Sequence, residues 1–216
     1  DAAIARVPAE QQADPRLVFE RVRWRRRHNL TETAIELLRT NPDQTGPATA
    51  WWDERSILAR RSMGDGAWAD AYELVRAHGQ TRRGAVAEAE WLAGWIALRH
   101  LDDVEAAYIH FARGQAVVTT PVSLARAAYW SARAAEALEA LEVAHSGYEE
   151  AARYPTTFYG QLAMEALAEG PMLALPADPH PDIVEADRLA EHELTMVCIL
   201  LAELEQQDYM RPFLLA

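Results

Sequence analysis

The 216-residue chain contains no lysine, a single cysteine and no long run of apolar residues. All 21 basic residues are arginine, which we interpret as a compositional bias rather than a mechanism. One cysteine, Cys198, cannot form a disulfide within the chain, and its apolar neighbours predict a buried thiol without redox chemistry. No stretch approaches the ~20 uninterrupted apolar residues that a membrane span requires, so none is predicted. The first residues lack the pattern of a secretory signal, and Asp1 fits a mature or a trimmed start.

Acidic residues are concentrated toward the C-terminal end. The net charge is −12, and residues 134–216 hold 3 arginines against 16 carboxylates, whereas residues 1–61 hold 11 against 9. Such a surface repels phosphate, so nucleic-acid binding is not expected. We expect the one basic cluster, at residues 21–27, to be a solvated helix face with snorkelling arginines, and the alternative is an anion or partner site.

Internal repetition is the strongest pattern in the chain. A small residue followed four positions later by a larger apolar one recurs at intervals of 37, 36 and 37 residues. The pairs are Ala34 and Leu38, Ala71 and Val75, Ala107 and Phe111, and Ala144 and Tyr148. A polar or glycine-containing turn precedes each pair, and a segment with helical spacing precedes each turn. The pattern predicts helix-turn-helix units in which the small residue lets two helices approach closely.

Repetition at this spacing predicts an all-α fold, a tetratricopeptide-like α-solenoid or superhelix of about ten helices. Strand signals are absent, and prolines fall between the periodic segments. The predicted helices cover residues 15–27, 31–40, 48–62, 67–78, 84–99, 103–117, 122–138, 142–153, 157–168 and 182–205. The expected domains are a helical-repeat superhelix at 1–168, a proline-rich connection at 169–181 and a terminal helical segment at 182–216 that packs on the array.

Residues for catalysis or cofactor binding do not stand out. The seven histidines lack the spacing that places two metal ligands on one helical face, so we expect no metal site and interpret His110 and His145 as turn or groove residues. Neither a G-x-S-x-G elbow nor a phosphate-cradling glycine loop occurs, and no catalytic residue or cofactor is assigned. Most glutamates are interpreted as solvated helix faces.

The seven tryptophans are more informative. Trp91 and Trp95 share one helical face, whereas the adjacent Trp51 and Trp52 must point about 100° apart, so at least one of these two is expected to be only partly buried. Packing between helices is the simplest interpretation. The alternative is that an exposed indole in a groove stacks on a sugar ring or anchors a peptide, with Trp51 and Trp52 as the first candidates.

Residues 156–163, with the sequence TTFYGQLA, resemble the Tyr-Gly segment in the helical superhelix of soluble lytic murein transglycosylases. Four further stretches fit the same resemblance in order: 20–26, 51–55, 88–95 and 125–130. The similarity covers nearly the whole chain. Proteins of that family combine an N-terminal α-superhelix with a C-terminal lysozyme-like domain that cleaves the glycan strand of peptidoglycan.

The resemblance implies a periplasmic protein of which this chain is only the superhelical part. The family's catalytic Glu-Ser dipeptide and its Gly-Leu-Met-Gln-like motif do not occur in the 216 residues, so no catalytic role carries over. The implied partners are peptidoglycan glycan strands and a lysozyme-like catalytic domain. Within the resembling segment, Phe158, Tyr159 and Gln161 join the two tryptophans as candidate contacts, although packing is the simpler role for them, and Gly160 is expected to allow close helix approach.

Two other functions remain open from the residues alone. A free-standing repeat adaptor that grips a peptide or helix of a protein partner requires no motif beyond the array itself. An independent hydrolase or lyase has only the abundant carboxylates in its favour.

Overall fold

The computed structural model describes residues 4–41, 46–167 and 182–214. Across these ranges the protein is all-helical and contains no strand, which confirms the predicted fold class at that level. The chain divides into two units, Asp1–Ala174 and Leu175–Ala216. The described part of the first unit holds nine α-helices: α1 (Pro15–Arg27), α2 (Thr31–Thr40), α3 (Ala48–Gly64), α4 (Trp68–Arg76), α5 (Arg83–His100), α6 (Val104–Gln115), α7 (Pro121–Ala137), α8 (Leu141–Ala152) and α9 (Phe158–Leu167).

Local sequence explains where α1 begins. The Asp14 carboxylate accepts hydrogen bonds from the backbone N–H groups of Arg16, at 2.9 Å, and Leu17, at 3.4 Å, and Pro15 occupies the first helical position. These two features satisfy N–H groups that no helical carbonyl can reach, and they preset the helical φ. Short 3-10 turns at Ile4–Arg6 and Ala9–Gln11 precede the helix.

Each helix pair turns through one residue in the left-handed backbone region. Asn29, Gly66, Asp102 and Glu139 have φ values of 60°, 75°, 58° and 59°. Each of them lies five positions before the repeated alanine of its unit. The amide that follows each turn closes back on the preceding helix, as Leu30 N–H does to the Arg25 carbonyl at 2.9 Å, which satisfies a carbonyl at the helix end. The turn therefore repeats in the same register as the apolar pairs.

The small-then-bulky positions are buried in all four units. Ala34, Ala71 and Ala107 are 0% exposed and Ala144 is 3% exposed. The larger partners are also buried: Leu38, Val75, Phe111 and Tyr148. Burying side chains of this size contributes about 1.5–3 kcal/mol each. The prediction that both positions of each pair are buried is confirmed.

Packing follows chain order in the first unit. Each helix contacts the next one along the chain, and α1 also contacts α3, α5 contacts α7, and α7 contacts α9. Odd-numbered helices thus contact the next odd-numbered helix in these three cases. Open grooves of about 780 Å³ and about 600 Å³ lie between the even-numbered helices α2 and α4 and between α6 and α8.

The second unit contains α10 (Ile183–Glu191), α11 (Glu193–Glu203), a 3-10 turn (Gln207–Tyr209) and α12 (Arg211–Leu214). The prediction of one helix over 182–205 is wrong, because the chain is extended at His192, with φ −71° and ψ 131°. A histidine is not a helix breaker by itself, so no local signal marks this interruption. The Cys198 thiol on α11 is buried, as predicted. The proline-rich connection expected at 169–181 lies outside the described residues.

A membrane-crossing helix must be both long and apolar. Among residues 4–41, 46–167 and 182–214, no helix meets both conditions. This agrees with the absence of long apolar runs in the sequence.

Candidate functional site

Four polar side chains from consecutive segments meet in the interior of the first unit. Tyr72 lies on α4, His78 lies after α4, Glu90 lies on α5 and His110 lies on α6. His110 Nδ1 is 2.5 Å from Glu90 Oε2, and His78 Nε2 is 3.3 Å from Glu90 Oε1. Tyr72 Oη is 3.0 Å from His110 Nε2. These contacts join three helices and the loop between α4 and α5.

Hydrogen-bond geometry assigns the protons in this network. The backbone N–H of Gln80 donates to His78 Nδ1 at 2.9 Å, so the ring proton of neutral His78 lies on Nε2 and faces Glu90. His110 donates to the same carboxylate through Nδ1. Gln80 Nε2 also donates to the Ala48 carbonyl at 2.7 Å, which connects the loop to the start of α3.

The Glu90 carboxylate is the charged centre of the network. Burial raises the pKa of Glu90, but hydrogen bonds from His110 and His78 outweigh burial and hold the pKa at about 2. The pKa of the Tyr72 hydroxyl is raised, because burial and the negative charge of Asp103 disfavour the phenolate. A phenol of raised pKa is not an activated nucleophile, and the four ring nitrogens already have partners. We conclude that the network fixes helices in place.

Sequence reasoning misses this network. The interpretation of His110 as a turn or groove residue is wrong, because it lies on α6 and is 6% exposed. His145, interpreted in the same way, is an exposed residue of α8 whose Nδ1 lies 3.8 Å from Glu149 Oε1. Glu90 is also buried rather than solvated. The only signal in the sequence is a carboxylate within an apolar helical segment, and its partners lie 12 and 20 residues away.

The basic cluster also differs from the expected solvated face. Arg26 forms an ion pair with the buried Glu54 of α3, with Arg26 Nη2 2.9 Å from Glu54 Oε1. Arg21 and Arg25 donate to the carbonyls of Gln12, at 3.3 Å, and Thr33, at 2.8 Å. Arginines of this cluster therefore connect α1 to its neighbours instead of forming one free anion site.

A row of aromatic rings crosses the first unit from α4 to α9. The members of this aromatic row, in spatial order, are Trp68, Trp95, Trp91, Trp130, Tyr159 and Phe158. Successive ring centroids lie 6.2, 6.4, 6.4, 6.4 and 5.1 Å apart, within the range of favourable aromatic contacts. The first five rings are half-buried, and Phe158 is 67% exposed.

The inner tryptophans of the row present only part of each ring at the surface. The indole nitrogens of Trp91 and Trp130 are buried and have no hydrogen-bond partner among the described residues. As whole residues, Trp91 and Trp130 are half-buried. The row therefore combines packing between odd-numbered helices with a partly accessible aromatic surface.

Charged side chains flank the aromatic row. The Arg126 guanidinium lies 5.0 Å from the centre of the Trp91 ring, and its Nη2 donates to Glu88 Oε2 at 2.9 Å. The Arg126–Glu88 pair places hydrogen-bonding groups beside an apolar ring, an arrangement typical of sites for ligands with both polar and apolar faces.

The structure separates the two tryptophans that the sequence singles out. Trp51 is 4% exposed and packs edge-on against Phe19, with ring centroids 4.9 Å apart. Trp52 is half-buried and lies edge-on to His78 at 6.1 Å. The expectation that at least one of the pair is only partly buried is met by Trp52. Trp51 lines a groove between α1 and α3 but contributes little surface to it.

The other three candidates lie on α9, which packs against α7 and α8 rather than beside α3. Phe158 and Gln161 are exposed, and Tyr159 is half-buried against Tyr129 at 5.5 Å. Gly160 is required here, because a Cβ at this position would lie 2.0 Å from the Tyr154 carbonyl oxygen. The close approach is thus to the turn before α9 rather than to a neighbouring helix. Phe158 and Tyr159 end the aromatic row, whereas Trp51 and Trp52 are not members of it.

Comparisons with known proteins add no further constraint. Scans against protein-family models, curated proteins and solved structures found no match to this chain. Within the described ranges, no group of three or more His, Cys, Asp or Glu side chains has the arrangement to hold a metal ion. The aromatic row is the feature that best fits ligand binding, because it joins accessible rings with flanking charges on neighbouring helices.

Proposed function

We propose that this chain is a non-catalytic helical-repeat scaffold that holds peptidoglycan glycan strands, like the superhelical part of a periplasmic lytic murein transglycosylase. In this proposal the helix pairs stack as a tetratricopeptide-like α-solenoid, and the odd-numbered helices form one continuous lining. Apart from Trp68 on α4, the aromatic row lies on that lining. The row contacts the glycan, and a lysozyme-like domain supplies the chemistry.

Two structural features support the stacked arrangement. The left-handed turn residue and the buried alanine recur with one spacing through four units. Contacts between α1 and α3, α5 and α7, and α7 and α9 bring successive odd-numbered helices together, while grooves open between even-numbered ones. Stacked repeats that contact only near neighbours are the defining property of solenoids.

The aromatic row, with its exposed end at Phe158, is the main support for the glycan proposal. A pyranose ring has an apolar face of C–H groups that stacks on aromatic rings, and its hydroxyl and amide groups need polar partners at the edges. Arg126 and Glu88 provide charged partners beside Trp91. The row ends in residues 156–163, the segment that resembles the murein transglycosylases.

Fluorescence titration tests the proposal, because tryptophans of the row would report a bound sugar. We expect soluble peptidoglycan glycan oligomers to change the emission of the purified chain in a saturable way. Phe158→Ala removes an exposed ring without opening the core, and it should weaken binding about 3- to 10-fold. Leu141→Ala is the matched control, since Leu141 is also 67% exposed but lies on α8, and it should leave binding unchanged. Saturable binding with the same affinity in Phe158→Ala as in the unaltered chain would exclude the aromatic row as the site.

A second candidate function, a stand-alone repeat adaptor for protein partners, is favoured by the groove between α6 and α8. This groove of about 600 Å³ has carboxylates on its α8 wall, at Glu142, Glu149 and Glu150, and small residues at Ala128 and Ala132. An open groove between helices with an acidic wall can hold a basic peptide segment. Recovery of one stoichiometric protein from periplasmic extract, without retention on purified sacculi, would support the adaptor over the glycan scaffold.

A further inference from the structure

The second unit, Leu175–Ala216, has a small core on one side of α11. Cys198 is 6% exposed, and Leu194 and Leu201 are half-buried. These three positions recur at i, i+4 and i+7, which places them on one helical face. The helix packs against α10, the 3-10 turn and α12.

The opposite side of α11 is apolar but exposed. Met196, Ile199, Leu200 and Leu204 are 54%, 48%, 55% and 68% exposed, and we refer to these four residues as the α11 outer face. Their spacing of three, four and eight positions from Met196 again gives one helical face. Isolated exposed apolar residues are common on proteins, whereas three on one face of a helix, continued by Leu204 at its C-cap, form an apolar stripe of the kind that interaction surfaces present.

Carboxylates border this face, and no basic residue lies between them in the chain. Glu193 lies seven positions before Leu200, and Glu203 lies seven positions after Met196, so each stands at one end of the same face. Two more carboxylates, Glu205 and Asp208, follow the helix. Residues 193–210 contain no lysine, arginine or histidine.

We propose that the α11 outer face binds a basic amphipathic helix of a partner protein. An apolar helical stripe fills the face, and flanking cations meet the carboxylates at its ends. A second copy docked face to face would oppose four carboxylates with four more, and an anionic membrane surface would repel the same charges. The inference rests on the second unit alone and is independent of the proposed glycan site.

Peptide binding to the full 216-residue chain provides the test. The probe is a synthetic amphipathic peptide of about 16 residues built from Leu and Arg, with a matched peptide in which Glu replaces Arg. Fluorescence anisotropy should show the Arg peptide binding at least about tenfold more tightly than the Glu peptide. Binding should weaken between about 50 mM and about 500 mM salt, because screening reduces the charge attraction. The salt dependence should be smaller in Glu203→Gln.

Substitutions separate this face from the general acidity of the chain. Leu200→Gln removes apolar contact without changing the charge, and it should weaken binding of the Arg peptide about 3- to 10-fold. Leu141→Gln, at another exposed leucine beside a glutamate, should have no effect. Circular dichroism shows whether each variant keeps its helices.

Four outcomes would overturn the proposal. Equal affinity for the Arg and Glu peptides would exclude the α11 outer face as the site. Equal effects of Leu200→Gln and Leu141→Gln would exclude it as well. A dimer in sedimentation that Leu200→Gln dissociates would assign the face to a second copy. Co-sedimentation with phosphatidylglycerol vesicles that Leu200→Gln abolishes would assign it to membrane binding.

Discussion

Glu54 on α3 and Glu90 on α5 lie 36 residues apart, the same spacing as the buried alanines Ala71 and Ala107 of the corresponding units. Both glutamates are buried, at 4% and 6% exposure. Glu54 pairs with Arg26 of α1, and Glu90 is held by two histidines. The repeat thus places a buried carboxylate at one position in two consecutive units, and each unit supplies different partners for it. Since an unpaired buried charge is costly, each pair constrains how its helices meet.

Removing the charge of Glu90 tests this constraint. Glu90→Gln should lower the free energy of unfolding by about 2–4 kcal/mol, because the histidine hydrogen bonds lose their charged acceptor. Denaturant unfolding followed by circular dichroism measures the change. The neighbouring Glu88→Gln is the control, since the Glu88 side chain is 50% exposed and its ion pair should contribute no more than about 1 kcal/mol. Equal losses for the two variants would contradict a structural role of the network.

The lowered pKa of Glu90 predicts a dependence of stability on pH. The carboxyl titrates near 4.5 when unconstrained and at about 2 in the folded chain, so its contribution is complete above pH 4.5 and is lost as the pH falls toward 2. The stability difference between the unaltered chain and Glu90→Gln should therefore shrink by up to about 3 kcal/mol across this window. Unfolding curves recorded between about pH 6 and about pH 3 measure the part of this decrease that falls above pH 3. A difference that stays constant with pH would show that the carboxyl pKa is not lowered by folding.

The repeated alanines should tolerate no larger side chain. Ala107→Leu adds volume at a position that is 0% exposed between paired helices, and we expect a loss of about 1–3 kcal/mol or more. Ala112→Leu on the exposed side of α6 is the matched control and should change stability by less than about 0.5 kcal/mol. Thermal unfolding compares the two. Similar melting temperatures for both variants would contradict a close helix approach at Ala107.

At the repeated turn residues, two substitutions should change the stability in opposite directions. Glu139 adopts φ 59°, a region that favours glycine, so Glu139→Gly should stabilise the chain or leave it unchanged, by up to about 1 kcal/mol. Gly66 adopts φ 75° at the equivalent position, and Gly66→Ala should destabilise by about 1 kcal/mol. Chemical denaturation provides both values. A gain from Gly66→Ala would contradict a left-handed turn there.

Much of the helical framework follows from local sequence. The bounds predicted for α1 and α2 agree with the structure, because Asp14 and Pro15 mark a helix start and a left-handed turn at Asn29 separates the two helices. The repeat also identifies the buried alanines, since a small residue that recurs with a bulky one four positions later is typical of paired helices in close contact. These features depend on neighbours in the chain.

Features that depend on tertiary contacts are not predictable in the same way. Adjacent Trp51 and Trp52 point in different directions, but only packing against α1 decides that Trp51 is the buried one. Glu90 and His110 meet across two helices, and no spacing rule places them together. The interruption at His192 has no glycine or proline to mark it. Long-range packing determines the first two.

Co-sedimentation of the purified chain with peptidoglycan sacculi tests the central claim most directly. We expect the chain to be retained, Phe158→Ala to reduce the retained fraction while Leu141→Ala does not, and the supernatant to contain no released anhydro-muropeptides. A chain that stays in the supernatant at every protein concentration, or that releases such products, would contradict a non-catalytic glycan scaffold.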